Sequence, residues 1–84
     1  MEKRLGFVGI VVEDLSSSER VNHIIGDYMR LVRGRMGIPD QENKRGVITL
    51  IIEGSNDEIG AFTGKLGALP GVSCKSLLAA KQGG

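Results

Sequence analysis

Apolar residues rich in valine and isoleucine fill two segments of the chain, residues 5–12 and 46–53, which is typical of β-strands. With the period of two of a strand, Leu5, Phe7 and Val11 fall on one face of the first segment, and Val8, Ile10 and Val12 fall on the other. Residues 33–38 are predicted to form an edge strand, because the proline that follows them is tolerated where a strand has no neighbour. Residues 72–78 are predicted to form the last strand.

Apolar residues recur at helical spacing in two other segments. Residues 17–32 predict one amphipathic helix and residues 56–69 predict another, which Pro70 and Gly71 end. The apolar positions that we expect to face the core are Val21, Ile24, Ile25, Tyr28, Met29 and Val32 in the first helix, and Ile59, Phe62, Leu66 and Leu69 in the second.

A strand-to-helix unit occurs twice. Each helix follows an apolar strand and a short polar turn, and each begins with Ser-x-x-Glu, Ser16 with Glu19 and Ser55 with Glu58. This spacing predicts a capping box, in which the serine and the glutamate satisfy free backbone amides of the first helical turn. Two such units predict an α+β fold, the ferredoxin-like βαββαβ sandwich, with an antiparallel four-stranded sheet and two helices on one face.

The strand at 46–53 is apolar on both faces. Ile48, Leu50 and Ile52 lie on one face, and Val47 and Ile51 lie on the other. Helices cover only one face of the sheet in a two-layer fold, so we expect another copy of the chain to cover the second face. The sequence therefore predicts a homodimer or a homotetramer that assembles through the sheet.

Three glycines, Gly60, Gly64 and Gly67, share one face of the second predicted helix. Each glycine costs a helix about 1 kcal/mol relative to alanine. Their recurrence predicts a close approach to another backbone or to a ligand.

Composition narrows the class of protein. The 84 residues carry 11 basic and 10 acidic side chains, with a net charge of +1, so no overall charge attracts nucleic acid or membrane. The single cysteine excludes an internal disulfide. The sequence shows neither a membrane-spanning run nor a signal peptide, which predicts a cytoplasmic protein. Residues 81–84 are predicted to form a flexible tail.

Several activities found on this fold do not match the residues. RNA-binding versions need aromatic residues on both central strands, and Phe7 is alone there. The acidic loop from Glu13 to Ser16 would repel the phosphate that acylphosphatase-like versions bind, and the chain has no Cys-x-x-Cys motif for a metal chaperone. We find no nucleophile–base pair or paired carboxylates, so we do not expect an enzyme.

The soft metal ligands of the chain are His23 and Cys74. Two ligands cannot complete a tetrahedral site within one chain, so we expect no metal and no cofactor there. A metal shared between subunits through these residues stays open. The simpler interpretation is that His23 lies on a helix surface and that Cys74 is a half-buried apolar residue in a strand.

Three arginines, Arg30, Arg33 and Arg35, lie close together at the edge strand and the end of the preceding helix. Two interpretations are open. The cluster could receive an acidic ligand or partner, or it could be a solvated edge that discourages strand-to-strand aggregation.

Three stretches resemble one family of small bacterial proteins. They are Val12-Glu13-Asp14 with Val21-Asn22, Arg35-Met36-Gly37-Ile38-Pro39, and Asn56-Asp57-Glu58-Ile59-Gly60-Ala61-Phe62-Thr63-Gly64-Lys65-Leu66-Gly67 with Pro70-Gly71-Val72. Together they cover nearly the whole chain and resemble the iron-only hydrogenase system regulators.

The resemblance implies a non-catalytic regulatory module, with residues 1–80 forming a single ACT-like domain. The family is similar to ACT domains and to the ligand-binding domain of the nickel-responsive repressor, which bind small effectors and assemble through their sheets. The edge strand carries Arg33, Arg35 and Met36 where nickel-responsive proteins need histidines, so the resemblance does not extend to the nickel site. Leu15 and Ser16 stand where ACT domains carry a glycine. No DNA-reading motif precedes the domain, so direct DNA binding is not expected.

The effector site implied by the resemblance lies between subunits, at the two polar turns and the glycine face. We expect both turns to lie near the same end of the sheet. Helix N-termini favour an anionic group and the carboxylates favour an amine, so an amino acid fits best. The alternative is an adaptor that binds a partner regulator or a maturation protein without a small molecule. The candidate ligand-binding residues are Glu13, Asp14, Ser16, Glu53, Ser55, Asn56, Asp57, Gly60 and Gly64.

Overall fold

The computed structural model describes residues 2–40 and 42–80, which form four strands and two α-helices. The predicted tail at 81–84 lies outside the described residues. In chain order the elements are β1 (Arg4–Val12), a 3₁₀ turn (Leu15–Ser17), α1 (Ser18–Asp27), a second 3₁₀ turn (Met29–Leu31), β2 (Val32–Asp40), β3 (Arg45–Gly54), α2 (Asn56–Gly67) and β4 (Val72–Leu78).

The four strands form one sheet in the order β2-β3-β1-β4, and each neighbouring pair is antiparallel. β1 and β3 pair along their whole length, from Arg4 opposite Gly54 to Val12 opposite Gly46. Both helices pack on the same face of the sheet. This arrangement confirms the predicted ferredoxin-like βαββαβ fold.

The core lies between the helices and the inward face of the sheet. The alternation of β1 and β3 is confirmed, because Val8, Ile10, Leu50 and Ile52 are completely buried. Burying these side chains is worth roughly 1.5–3 kcal/mol each. The helices and turns contribute Val21, Ile25, Tyr28, Leu31, Ile59, Phe62 and Leu66, which are also buried.

The first helix is shorter than predicted. α1 ends at Asp27, and a 3₁₀ turn and the start of β2 replace its last predicted turn. Met29, predicted to face the core, is 53% exposed, whereas Leu31 is buried. Leu31 packs so closely against Gly54 that a side-chain carbon at Gly54 would lie 2.7 Å from Leu31 Cδ2. The chain has thus left the helix where Leu31 packs against β3.

The other boundaries differ less from those predicted. β2 extends to Asp40, beyond the predicted 33–38, and contains a bulge between Val32 and Gly34. α2 ends at Gly67, two residues before Leu69. Among the residues described, none of the helices combines the length and the apolar character needed to cross a membrane.

Neither α1 nor α2 lies on the outward face of the sheet, and we call this face the open face. Large apolar side chains between 41% and 66% exposed lie on all four strands. Val47 and Ile51 are among them, as the doubly apolar strand predicted. The full set is Leu5, Phe7, Met36, Ile38, Val47, Ile51 and Leu77.

Candidate functional site

The first candidate turn, residues 13–17, joins β1 to α1 and is organised by Asp14. Its Oδ1 accepts hydrogen bonds from the backbone N–H of Ser16 at 3.0 Å and from the Ser16 hydroxyl at 2.6 Å. The hydroxyl bond, then the backbone bond, lowers the pKa of Asp14, because both favour the charged carboxylate. Asp14 thereby caps the 3₁₀ turn that leads into α1.

The capping box predicted for Ser16 and Glu19 is wrong. Ser17 is the N-cap of α1, and its side chain makes no hydrogen bond to the described amides of that helix. Its hydroxyl instead donates to the carbonyl of Pro70 at 2.7 Å. Ser16 lies within the 3₁₀ turn Leu15–Ser17, so it is not the N-cap of α1, which begins at Ser18.

Gly71, in the loop between α2 and β4, contacts the first turn directly. Its carbonyl accepts from the Glu13 N–H at 2.7 Å. Its φ of 67° is a conformation that favours glycine. A Cβ at this position would lie 2.5 Å from Asp14 Cβ and 2.9 Å from Asp14 N. The first turn therefore depends on a residue that is distant in sequence.

The second candidate turn, residues 53–57, contains the predicted capping box, and the structure confirms it. Ser55 Oγ accepts from the Glu58 N–H at 3.2 Å, and the Ser55 N–H donates to Glu58 Oε1 at 3.1 Å. The backbone N–H of Ser55, then its side chain, lowers the pKa of Glu58, and the charge of Arg30 adds to the effect. Arg30 Nε lies 3.4 Å from Glu58 Oε2.

Other side chains of the second turn already have partners within the chain. Glu53 Oε1 accepts from Arg33 at 3.2 Å, and Asn56 Oδ1 accepts from Arg4 at 3.3 Å. Asp57 is exposed in the first turn of α2. It borders a shallow depression of about 270 Å³ lined by Glu2, Ser55, Asn56 and Asp57.

The two turns lie at opposite ends of the sheet, so the prediction that they share one end is wrong. The first turn follows Val12, which pairs with Gly46 at the start of β3, and the second follows Gly54, which pairs with Arg4 at the start of β1. At about 3.3 Å per residue, nine-residue β1 separates them by about 26 Å. One ligand cannot contact both turns of the same chain. The role of the nine candidate residues in binding stays a prediction.

The described residues do not approach the glycine face closely at Gly60 or Gly64. A Cβ at Gly60 or Gly64 would have no neighbouring atom within 4 Å among the described residues. Gly67 alone of the three has a close neighbour, Cys74 Sγ at 3.9 Å from such a Cβ. A contact from a second copy or a ligand stays a prediction for Gly60 and Gly64.

The arginines of the edge do not form one open cationic cluster. Arg33 is paired with Glu53, and Arg30 with Glu58. Arg35 donates to Asn22 Oδ1 on α1 at 2.7 Å. Each guanidinium is thus held by an acceptor within the chain, which fits a solvated edge better than a site for an acidic ligand.

The two soft ligands have separate surroundings. His23 lies exposed on α1, with Nε2 3.5 Å from Asp27 Oδ2. The Cys74 thiol donates to the Thr63 carbonyl at 3.2 Å, and burial raises its pKa. Within residues 2–40 and 42–80, no three His, Cys, Asp or Glu side chains are grouped so that they could hold a metal ion.

The open face is larger than the pattern of one strand predicted. A shallow apolar depression of about 320 Å³ lies among Leu5, Phe7, Ile51 and Leu77. Lys75, on the same face, pairs in register with Gly9. The period of two in β1 indicates Leu5 and Phe7, whereas the exposed residues of the edge strands β2 and β4 carry no periodic signal of their own. The sheet topology brings them together.

Comparisons with known families and solved structures identify proteins that are similar to this chain. The model of one family, described as "TM1266-like: Iron-only hydrogenase system regulator, putative", matches residues 4–76. The solved structure of protein TM1266 from Thermotoga maritima is 36% identical and superposes with a TM-score of 0.88, covering 94% of this chain and 100% of that chain. No curated protein matches the chain at a significant level.

Two more distant structures share the fold. The ACT domain from the GTP pyrophosphokinase of Chlorobium tepidum is 19% identical, with a TM-score of 0.73 over 99% of this chain and 96% of that chain. A PII-like signalling protein from Thermus thermophilus is 16% identical, with a TM-score of 0.59 over 94% of this chain and 92% of that chain.

Proposed function

The chain belongs to the TM1266-like family of iron-only hydrogenase system regulators, and we propose that it is a non-catalytic, homo-oligomeric regulatory module of the cytoplasm. The observation that carries this proposal is the open face. A soluble monomer rarely exposes an apolar patch of this extent unless a partner covers it. A small domain also gains stability from such an assembly.

The oligomer has a direct test. Wild-type protein should sediment as a dimer or a tetramer at micromolar concentration. Ile51→Lys places a charge on the open face and leaves the buried side chains of β3 in place, so it should yield a folded monomer from a dimer, or a folded dimer from a tetramer. Ala61→Lys, which changes an exposed position of α2 away from the sheet, serves as the control. A wild-type monomer would end the proposal.

We propose further that an effector binds between subunits at the two turns. A single site that combines both turns requires two copies related by an axis perpendicular to the strands, because only such an axis brings opposite ends together. The α2 N-terminus favours an anionic group, and the carboxylates of Glu13 and Asp57 have no hydrogen-bond partner among the described residues. A zwitterion such as an amino acid offers an anionic group to the helix N-terminus and an amine to the carboxylates.

Titration calorimetry against amino acids, nucleotides and divalent metals tests the effector. A ligand at 100 times its dissociation constant should also raise the free energy of unfolding by about 2.7 kcal/mol. Asp57→Ala should weaken binding without changing the oligomer. Its matched control is Asp27→Ala, an exposed carboxylate on α1 that lies outside both turns.

An adaptor without a small ligand is the second candidate function. It is favoured by the hydrogen bonds that already occupy Asp14, Ser16, Glu53, Ser55 and Asn56, since an effector would have to displace them. In that case a partner regulator or a maturation protein would bind the oligomer directly. The adaptor would be favoured if no compound of the titration panel binds and the oligomer forms a stable complex of defined stoichiometry with such a protein.

A further inference from the structure

Six of the seven apolar residues of the open face lie in three rows that run across the four strands, and Leu5 lies beyond them, opposite Glu53. The pairing register places one residue of each strand in every row. From β4 to β2, the rows are Leu77-Phe7-Ile51-Gly34, Lys75-Gly9-Thr49-Met36 and Ser73-Val11-Val47-Ile38.

Two glycines lie beside larger residues in these rows. Gly34 lies at the β2 end of the row in which Leu77 lies at the β4 end, and Gly9 is the neighbour of Thr49 in the middle row. A side chain at Gly9 would meet no described atom within 4 Å, so Gly9 leaves a hollow in the centre of the face. The face therefore has both protrusions and recesses.

We propose that the open face packs against the same face of a second copy, about a two-fold axis that runs parallel to the strands between β1 and β3. The inference rests on the proposed homo-oligomer and specifies its interface. It places β4 of each copy over β2 of its partner and β1 over the partner's β3. Aligned sheets of this kind pack about 10 Å apart, with strand directions within about 30° of each other.

This axis joins protrusions to recesses. Each row stacks on the same row of the partner in reverse order, so Leu77 lies over the partner's Gly34 and Thr49 lies over the partner's Gly9. Lys75 lies over the partner's Met36, where its aliphatic stem packs on the thioether and its ammonium group reaches the rim. No two like charges meet.

A two-fold axis that crosses the strands gives the same overlap but a poorer fit. It stacks each strand on its own copy, so Lys75 would face the partner's Lys75, and Gly9 would face the partner's Gly9. Like charges directly opposite each other are unfavourable, and the facing glycines would leave a void at the centre.

The area is sufficient for a stable dimer. With exposed areas on the order of 100 Å² for each large side chain, the seven apolar residues of the open face present on the order of 700 Å², close to the ~800 Å² per partner of a standard interface. A second copy supplies an equal area with the same composition, which an unrelated polar partner would not.

The parallel axis keeps the like ends of the two sheets together. The first turn of one copy therefore stays about 26 Å from the second turn of the other. An effector site built from both turns would need a second, side-by-side contact, which the uncovered edge of β2 allows. The two contacts together generate a tetramer with three perpendicular two-fold axes.

Substitutions that change the charge at positions 36 and 75 test the direction of the axis. Within one chain, two strands separate these residues, so they are about 14 Å apart and do not pair. Met36→Lys should raise the dimer dissociation constant by about 100-fold or more, since like charges would face each other twice. Adding Lys75→Glu should restore it to within about tenfold of wild type. Under the crossing axis the double variant would face like charges at both positions, so absence of rescue would overturn the proposal.

Crosslinking provides an independent measurement. In a Cys74→Ser background, Lys75→Cys and Met36→Cys chains are mixed and treated with a bismaleimide that spans about 10 Å, the separation of packed sheets. The mixture should give a covalent dimer, and neither variant alone should. A covalent dimer from Lys75→Cys alone would indicate the crossing axis and overturn the proposal.

Different results would contradict this inference and the proposed function. A monomeric wild-type protein would contradict both. A wild-type oligomer that Ile51→Lys dissociates, but that shows neither rescue nor the mixed crosslink, would remove the parallel axis and leave the regulatory homo-oligomer standing.

Discussion

The first turn and the second turn carry the same Ser-x-x-Glu spacing, yet they begin their helices by different means. In the second turn, Ser55 and Glu58 form a local capping box within four residues. In the first turn, Asp14 caps a 3₁₀ turn, and the Pro70-Gly71 loop supplies two further hydrogen bonds. The second turn is thus a local structure, whereas the first is held by a loop more than 50 residues away in sequence. A capping motif therefore specifies a helix start only where the backbone leads into the helix without an intervening turn.

Gly71→Ala should have the largest effect, because it disrupts the distant support of the first turn. A side chain at φ 67° is strained, and its Cβ would overlap Asp14. We expect a loss of about 2–4 kcal/mol in the free energy of unfolding, measured with urea. Gly26→Ala is the control, since a Cβ there meets no described atom within 4 Å and should gain up to ~1 kcal/mol. Equal effects of the two substitutions would contradict this account of the first turn.

Ser55→Ala and Ser16→Ala separate the two serines of the repeat. Ser55 is buried and caps α2, so its removal should cost about 1–2 kcal/mol. Ser16 is exposed and its backbone N–H keeps its bond to Asp14, so Ser16→Ala should stay within about 0.5 kcal/mol of wild type. Thermal unfolding of the two variants measures the difference. A greater loss at Ser16 would show that both turns rely on their serines alike.

Glu58→Ala and Glu19→Ala extend the comparison to the glutamates. Glu58 holds the Ser55 N–H and the Arg30 guanidinium, whereas Glu19 does not take part in a capping box. The melting temperature should therefore fall more for Glu58→Ala than for Glu19→Ala, and by less than for Ser55→Ala. Indistinguishable melting temperatures for the two glutamate variants would contradict the local capping of α2.

Acid should weaken both turns through their carboxylates, with the smallest effect. The fold lowers the pKa of Asp14 below its ordinary 3.8 and the pKa of Glu58 below its ordinary 4.5. The stability that these groups contribute is complete above those ordinary values and is lost as the pH falls through the lowered ones. The difference in unfolding free energy between wild type and Glu58→Gln should therefore shrink from pH ~5 to pH ~3. A difference that stays constant with pH would contradict the pKa direction.

Much of the fold could be predicted from local patterns. The period of two in β1 and β3 sorted their residues into two faces, and the spacing of Ile59, Phe62 and Leu66 specified the inner face of α2. The end of α1 could not be predicted in this way, because the apolar period continues through Met29 and Val32. The chain leaves the helix there, and Leu31 packs on Gly54, a contact between residues that are distant in sequence.

The candidate site shows the same division. The residues of each turn were recognisable from their types and spacing. Their relative position follows from the antiparallel pairing of β1 with β3, which sends the ends of successive strands in opposite directions. Like motifs after neighbouring strands share an end only when the strands are parallel, so the two turns cannot form one site within a chain.

The sequence by itself determined the order of strands and helices, the two faces of the central strands and the capping box at Ser55, because each depends on residues a few positions apart. It also carried the resemblance to a regulator family, because that resemblance is a comparison of residue types along the chain. The tertiary structure decided where α1 ends, which residues cap its start, how Gly71 supports Asp14, and how four strands combine into one apolar face. These features depend on contacts between distant segments, whose geometry local patterns do not encode.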